Sequence, residues 1–194
     1  MLLDKFLPKF EFNEIHTTKV DAPPERVFTA IKELTAAELS PLIFWMMDIR
    51  SLPAKLMGKS YPGMARQSKP FLDQMIEGGF IPLAEETNSE IVFGLVGQFW
   101  KLTGGIEPDI PSPQAFLDFD DPAFAKVAAN LAVTVDENGR TRCSTETRID
   151  VADPRTRRKF AFYWRIISMG SGWIRVLWLK AIKRKAESVA RGSE

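Results

Sequence analysis

The first half of the chain alternates between one β-type pattern and two helix-type patterns of apolar residues. The β-branched run at 14–20, EIHTTKV, predicts a first strand. Helical spacing predicts a helix after Asp21 and a second one that begins near Ser40-Pro41. Their predicted apolar faces comprise Val27, Phe28, Ile31 and Leu34 in the first helix and Leu42, Trp45, Met46, Ile49 and Leu52 in the second.

The second half predicts an antiparallel meander followed by one long helix. A short helix is predicted in PFLDQMIEGG, residues 70–79, and should stop at Gly78-Gly79. Two hairpins are expected, one turning at 87–89 and one at Asn138-Gly139, while the proline-rich stretch at 101–114 is expected to be a loop. The last helix should run from about Thr156 to Ala190. Since strands and helices are segregated, the sequence predicts an α+β fold with a helix laid across one sheet face.

Glycines interrupt the middle of this last helix, where each one costs ~1 kcal/mol relative to alanine. Gly170 falls within the predicted apolar face, while Gly172 and Arg175 fall on the opposite face, where Gly172 would permit a bend. Two interpretations of Gly170 stay open, close helix–sheet packing and a space kept for a ligand. The predicted apolar face comprises Phe160, Tyr163, Trp164, Ile167, Gly170, Ile174, Leu177, Trp178 and Ala181.

Composition and charge narrow the class of protein. With 194 residues, the chain is expected to be one domain with loose ends at 1–10 and 191–194. The net charge of +1 favours neither nucleic acid nor an acidic partner. Cys143 is the only cysteine, which excludes an intrachain disulfide and fits a reducing cytoplasm. No run of eighteen apolar residues occurs, so no transmembrane helix is expected.

The strand-to-helix entry VDAPPERVFTAI, followed by a meander and a long terminal helix, resembles the START-like, helix-grip superfamily, also called SRPBCC. The stretches EIVFGLVGQFW, STETRIDVADPRTRRKFAFYW and GSGWIRVLWLKAIKRKAE are similar to a bacterial, polyketide cyclase-like branch of mostly uncharacterised members. The resemblance covers residues 11–190. It implies a curved antiparallel sheet wrapped around the terminal helix, two or three short helices after the first strand, and an apolar cavity between sheet and helix. It carries over no catalytic residue, because the superfamily shares a cavity and not a chemistry.

Candidate catalytic groups are few. His16 is the only histidine, and it lies in phase with Thr18 and Val20 on the first strand. It can serve as a general base or a ligand hydrogen-bonder, but a structural histidine bonded to a neighbour or water is favoured. Glu146 and Arg148 share one strand face with Asp150, and the pattern leaves open whether that face meets the cavity or solvent. Cys143 is expected to pack rather than react, and neither the acidic run at 118–121 nor any Cys/His spacing predicts a metal site.

The terminal segment from Arg155 to Arg191 is strongly basic, with eleven Lys or Arg residues against the single acid Glu187. Such a segment can contact anionic lipid or nucleic acid. The near-neutral total charge favours a solvated helix face instead. The same interpretation expects no exposed aromatic residues on the Arg165–Lys183 side of the helix. Membrane contact is therefore not favoured, and no nucleic-acid partner is expected.

Three functions remain, in order of preference. The first is a cytoplasmic module that binds a hydrophobic or amphipathic small molecule between sheet and helix, without cofactor or metal. The second is a cyclase- or dehydratase-type enzyme that uses His16, Glu146 or Tyr163. The candidate residues favour a binding protein over this enzyme. The third is a lipid carrier that docks through its basic helix. The expected ligand-binding residues are His16, Thr18, Trp45, Phe93, Trp100, Tyr163, Trp164, Ile167, Gly170 and Ile174.

Overall fold

Five antiparallel strands form one sheet in the computed structural model, which describes residues 1–45, 69–101 and 109–191. The strands follow the order β1-β5-β4-β3-β2, so the first and last strands of the chain are neighbours. The bounds are β1 Phe12–Val20, β2 Ile81–Glu86, β3 Glu90–Gly97, β4 Ala125–Val135 and β5 Thr141–Asp150.

Helices cover both sides of this sheet. Their bounds are α1 Leu3–Phe6, α2 Pro24–Glu33, α3 Phe71–Glu77, α4 Pro113–Asp118 and α5 Pro154–Arg191, with a 3-10 turn at Ala36–Glu38 and a helical stretch at 41–45. The predicted fold class is confirmed: an antiparallel sheet, short helices after the first strand and one long terminal helix give the helix-grip arrangement.

Local turn chemistry explains the two predicted hairpins, both of which are present. Between β4 and β5, Gly139 has a φ of 73°, which a residue with a side chain adopts rarely. The Asp136 carboxylate closes this turn by accepting the backbone N–H groups of Asn138 at 2.9 Å and Arg140 at 3.0 Å. Between β2 and β3, Asn88 has a φ of 62° and makes the corresponding tight turn.

Side-chain alternation divides the buried residues into an inner and an outer layer. On the inner face, the sheet packs against α2, α3 and α5, with Ile31, Leu131 and Ile182 each at most 1% exposed. On the outer face, Val92 and Ala128 pack against α1 and α4. The single cysteine, Cys143, lies fully buried in the inner layer.

Three expectations about local structure are wrong. The first ten residues are not loose, because α1 packs on the outer face with Leu3 and Leu7 buried. Residues 113–118 form a helix rather than loop, since the Ser112 hydroxyl accepts the Ala115 N–H at 3.1 Å and caps it. At 41–45 the buried side chain is Ile43, whereas the expected face residues Leu42 and Trp45 are 37% and 62% exposed. The rest of that predicted face, Met46, Ile49 and Leu52, lies outside the described residues.

Candidate functional site

Helix α5 packs tightly at its two ends and loosely in its middle. Near its start, Phe160 is 1% exposed, and near its end Leu179 and Ile182 are at most 2% exposed. Between residues 161 and 178, all of which are described, Gly172 alone is buried. The middle of α5 therefore leaves the sheet beneath it incompletely covered.

Polar side chains of β1 lie under this loosely packed stretch. Strand alternation directs Glu14 and His16 toward α5, and a hydrogen bond of 2.8 Å joins Glu14 Oε1 to His16 Nε2. The two side chains are 18% and 23% exposed. An ionised carboxylate only accepts hydrogen bonds, so this contact assigns the proton to Nε2. When the imidazole is neutral, this contact leaves a lone pair at Nδ1, which is the arrangement in which a carboxylate orients a base.

Arg175 joins this pair to β5 and to the helix itself. Its Nη1 donates to Glu14 Oε2 at 3.1 Å and to the Ser171 hydroxyl at 2.8 Å, while its Nε donates to the Thr147 hydroxyl at 3.1 Å. The guanidinium group thus fixes the carboxylate that orients His16. We call Glu14, His16, Thr147, Ser171 and Arg175 the polar cluster.

Gly172 lies against β1, which corrects the expectation that Gly172 and Arg175 face away. A β-carbon at Gly172 would overlap Glu14 Oε1 and lie 3.2 Å from His16 Nε2. The buried face of α5 is centred on Ser171, so Gly170 and Gly172 lie on opposite flanks at about 100° per residue. Lys183 lies on the Gly172 flank and donates to the Lys19 carbonyl of β1 at 2.7 Å.

The opposite flank of α5 is directed toward β4 and β3. It carries four of the predicted ligand-binding residues, Tyr163, Ile167, Gly170 and Ile174, all half-buried. The inner face of the sheet carries half-buried Leu95, Val127 and Ala129 on this side. Their orientation follows from register, since Leu95 pairs with Val127, which pairs with Ile149 beneath Phe160. Among the described residues, these seven define what we call the groove.

Aromatic rings close one end of the groove. Phe160 lies at the centre of this group, with its ring centroid 6.0 Å from Trp100 and Trp164 and 5.8 Å from Tyr163. Phe12 of β1 completes the group at 5.0 Å from Phe160. At the other end of the groove, Ile174 packs on the inner core.

Three other predicted ligand-binding residues occupy different surroundings. Thr18 shares the inner face of β1 with His16 and is half-buried. Phe93 pairs with Ala129 but is only 4% exposed, because it is packed into the inner core. Trp45 is 62% exposed, and no described contact brings it to the polar cluster.

Glu146 and Arg148 lie on the outer face, away from α5 and the groove. Arg148 Nε donates to Glu146 Oε1 at 2.7 Å, and its Nη1 donates to Asp4 at 2.7 Å and to the Leu7 carbonyl at 3.2 Å. This hydrogen bond to Arg148 lowers the pKa of the Asp4 carboxyl. The pair therefore fastens the N-terminal segment, and Glu146 does not fit the catalytic role considered for it in the groove.

The described residues do not support a cysteine nucleophile or a metal site. Burial raises the pKa of the Cys143 thiol to about 12, so the reactive thiolate is scarce at neutral pH. Within the described ranges, no three His, Cys, Asp or Glu side chains form a group that could hold a metal ion. In the same ranges, no helix is both long and apolar enough to cross a membrane.

Sequence reasoning identified His16 but missed the other members of the polar cluster. The period of two along β1 could have identified Glu14, two residues before His16 on the same face. Ser171 and Arg175 carry the i, i+4 spacing of neighbours on one helix face. Nothing local points to Thr147, whose place depends on how α5 crosses β5.

Two solved structures are similar to this chain at low scores. The crystal structure of TTHA0849 from Thermus thermophilus is 12% identical, with a TM-score of 0.35 over 92% of this chain and 99% of that one. The crystal structure of Ara h 8.0201 is 12% identical, with a TM-score of 0.27 over 91% of this chain and 98% of that one. No family model and no curated protein matches the sequence.

Proposed function

We propose that this protein binds a hydrophobic or amphipathic small molecule in the groove between α5 and strands β3 and β4. The observation that carries the proposal is the loose packing of α5 between its two well-packed ends. A helix that served stability alone would bury its middle as well as its ends. Instead, apolar side chains there are half-buried on both walls.

The polar cluster beside the groove supports an amphipathic ligand. An apolar site with a few convergent polar groups is the usual form of a small-molecule site. The Ser171 hydroxyl, next to Thr147 of β5, lies between the two flanks of α5 and offers a hydrogen bond at the edge of the apolar wall, whereas His16 lies on the Gly172 flank. The resemblance to the START-like superfamily, in its polyketide cyclase-like branch, favours the same class of ligand.

Filling the groove tests the proposal. We expect Ala129→Phe to weaken binding of the fluorescent probe anilinonaphthalene sulfonate by about tenfold or more, which corresponds to ~1.4 kcal/mol. Gly170→Leu should act likewise from the helix side, and Gly170→Ala should act less. The control Thr134→Phe adds the same ring at an exposed position on the other face of β4 and should leave binding unchanged.

Fluorescence titration measures the affinity, and circular dichroism verifies that each variant is folded. Unchanged probe binding by folded Ala129→Phe and Gly170→Leu would overturn the groove as the site. If Gly170→Leu unfolds the chain, Gly170 is a packing contact, and Ala129→Phe then decides alone.

A second candidate function, proton transfer on a bound substrate, is favoured by the Glu14–His16 contact. A carboxylate that orients an imidazole is the arrangement that general bases use. A simple β-diketone in deuterated water offers a test, because a base that removes its central proton promotes exchange for deuterium. Exchange that the protein accelerates and that His16→Asn abolishes, with probe binding intact, would make the protein an enzyme. Equal exchange rates with wild type, His16→Asn and no protein would leave the binding role.

A further inference from the structure

Five large apolar side chains project from α5 on the side away from the sheet. Phe162, Ile166, Met169, Trp173 and Val176 are 71%, 61%, 75%, 65% and 36% exposed. Their spacing of four, three, four and three residues places them in one line along the helix. We call these five residues the stripe. It is about 21 Å long, from 1.5 Å of rise per residue.

The sequence predicts no exposed aromatic residue on the Arg165–Lys183 side of this helix, and the neighbouring outward side carries two, Phe162 and Trp173. Single exposed apolar residues are ordinary on protein surfaces, but a continuous line of large ones marks an interaction surface. None of the five contributes to the buried core clusters on either face of the sheet.

Exposed cations flank the stripe. Arg158, Lys159, Arg165 and Lys180 are exposed, and no described residue forms an ion pair with them. The single acid of residues 154–191, Glu187, accepts the Asp21 N–H at 2.8 Å and lies 3.4 Å from Lys183. The outward side of α5 therefore combines aromatic and aliphatic side chains with positive charge that the helix does not neutralise.

We propose that the outward side of α5 docks on an anionic lipid surface, with the stripe entering the boundary between headgroups and acyl chains. Basic residues beside Trp and Phe on one helix face are the composition of helices that lie in that boundary. Charge complementarity selects this occupant over a second copy of the chain, since two such faces would bring cations against cations. Exposed side chains in one line along a helix also form a narrow ridge, which a fluid surface accommodates. Docking through this face does not require a ligand in the groove.

Vesicle sedimentation tests this proposal. The full chain should sediment with vesicles of phosphatidylcholine plus phosphatidylserine and should bind vesicles of phosphatidylcholine alone much more weakly. Replacing Arg158, Lys159, Arg165 and Lys180 with Gln should weaken binding by about fivefold per removed cation. A stripe variant with Phe162, Ile166 and Trp173 replaced by Ser should also lose binding. The control changes Ile15 and Val135, exposed apolar residues outside α5, to Ser and should bind as the parent does.

Lipids brominated on the acyl chain report orientation, because they quench tryptophan that enters the boundary. Quenching should fall in Trp173→Phe while vesicle binding persists. Binding that depends on the cations but not on the stripe would mean surface adsorption and would overturn insertion. Self-association that the stripe variant abolishes, without vesicle binding, would identify a second copy as the occupant and overturn the lipid proposal. Absence of both vesicle binding and self-association would also overturn it.

Discussion

Asp150 ends strand β5 next to a second carboxyl group. Burial raises the pKa of Asp150, and the neighbouring Glu11 raises it further, while Lys126 and Arg157 oppose the shift. A raised pKa means that the folded chain binds this proton more tightly than the unfolded chain. The contribution of Asp150 to stability is therefore fully present below its ordinary pKa of 3.8 and is lost as the pH rises through the folded value.

We expect Asp150→Asn to increase the free energy of unfolding at neutral pH by less than about 1 kcal/mol, because the carboxyl group is partly solvated. The gain should disappear as the pH falls below 3.8. Urea unfolding at several pH values measures it. Asp136→Asn provides a control of opposite sign, since backbone hydrogen bonds from Arg140 and Asn138 lower the pKa of Asp136. A loss of stability in Asp150→Asn at neutral pH would contradict this account.

Residue orientation could be predicted on the strand but not on the long helix. The period of two placed His16 correctly on the face that meets the terminal helix. In the middle of α5, apolar residues occur on more than one side of the helix, because the stripe occupies the outward side and the groove residues lie toward the sheet. Hydrophobic periodicity then cannot select the buried side, which is why Gly172 was assigned to the wrong one.

Element α1 is hydrogen-bonded by a buried carboxylate on the outer face. Glu90, 3% exposed, accepts the backbone N–H groups of Leu2 at 2.6 Å and Leu3 at 3.2 Å. It also accepts the Asn130 side-chain amide at 2.6 Å. Three donors therefore compensate the burial of this charge, and two of them come from the start of the chain.

We expect Glu90→Gln to lower the free energy of unfolding by ~1–3 kcal/mol. The NH2 group of the new side chain replaces an oxygen that accepted hydrogen bonds, so a donor then faces the N–H donors. Residues 1–7 should then become sensitive to protease, since α1 loses its attachment to β3. Chemical denaturation and limited proteolysis measure the two effects. Glu86→Gln, at an exposed position of the same hairpin, should change neither. An unaltered proteolysis pattern in Glu90→Gln would show that the other contacts of α1, the Arg148 hydrogen bonds and apolar packing, are sufficient to hold it.

Elements with strong local sequence signals were predicted well. An element that is held by residues far away in the sequence was not. The Asn138-Gly139 turn and the alternating runs beside it identify β4 and β5 without reference to the rest of the chain. Helix α1 has four residues, and its anchor Glu90 is more than eighty residues away in sequence. No window of the sequence near α1 contains that information. The Ser112 cap of α4 is local, so this helix could have been predicted.

At the scale of the whole molecule, the sheet separates two regions with different roles. Arg148 and Glu90 fasten the N-terminal segment on the outer face. The inner face holds the main core and, beside the middle of α5, the residues of the proposed groove. The α+β order of elements was sufficient to predict this helix-grip architecture. It could not indicate that the outer face is also covered, because that cover comes from two helices of four and six residues.

The single cysteine makes the opening of the core chemically measurable. Cys143 lies in the inner core, and burial raises the pKa of its thiol to about 12, so alkylation must wait until the sheet and the helices separate. We expect iodoacetamide to react about a thousandfold or more slowly with the native chain than with the denatured one. The ratio of the two rates reports the fraction of time that the core is open when reclosing is fast. Rapid labelling of the native chain would reveal a local opening that equilibrium denaturation averages away.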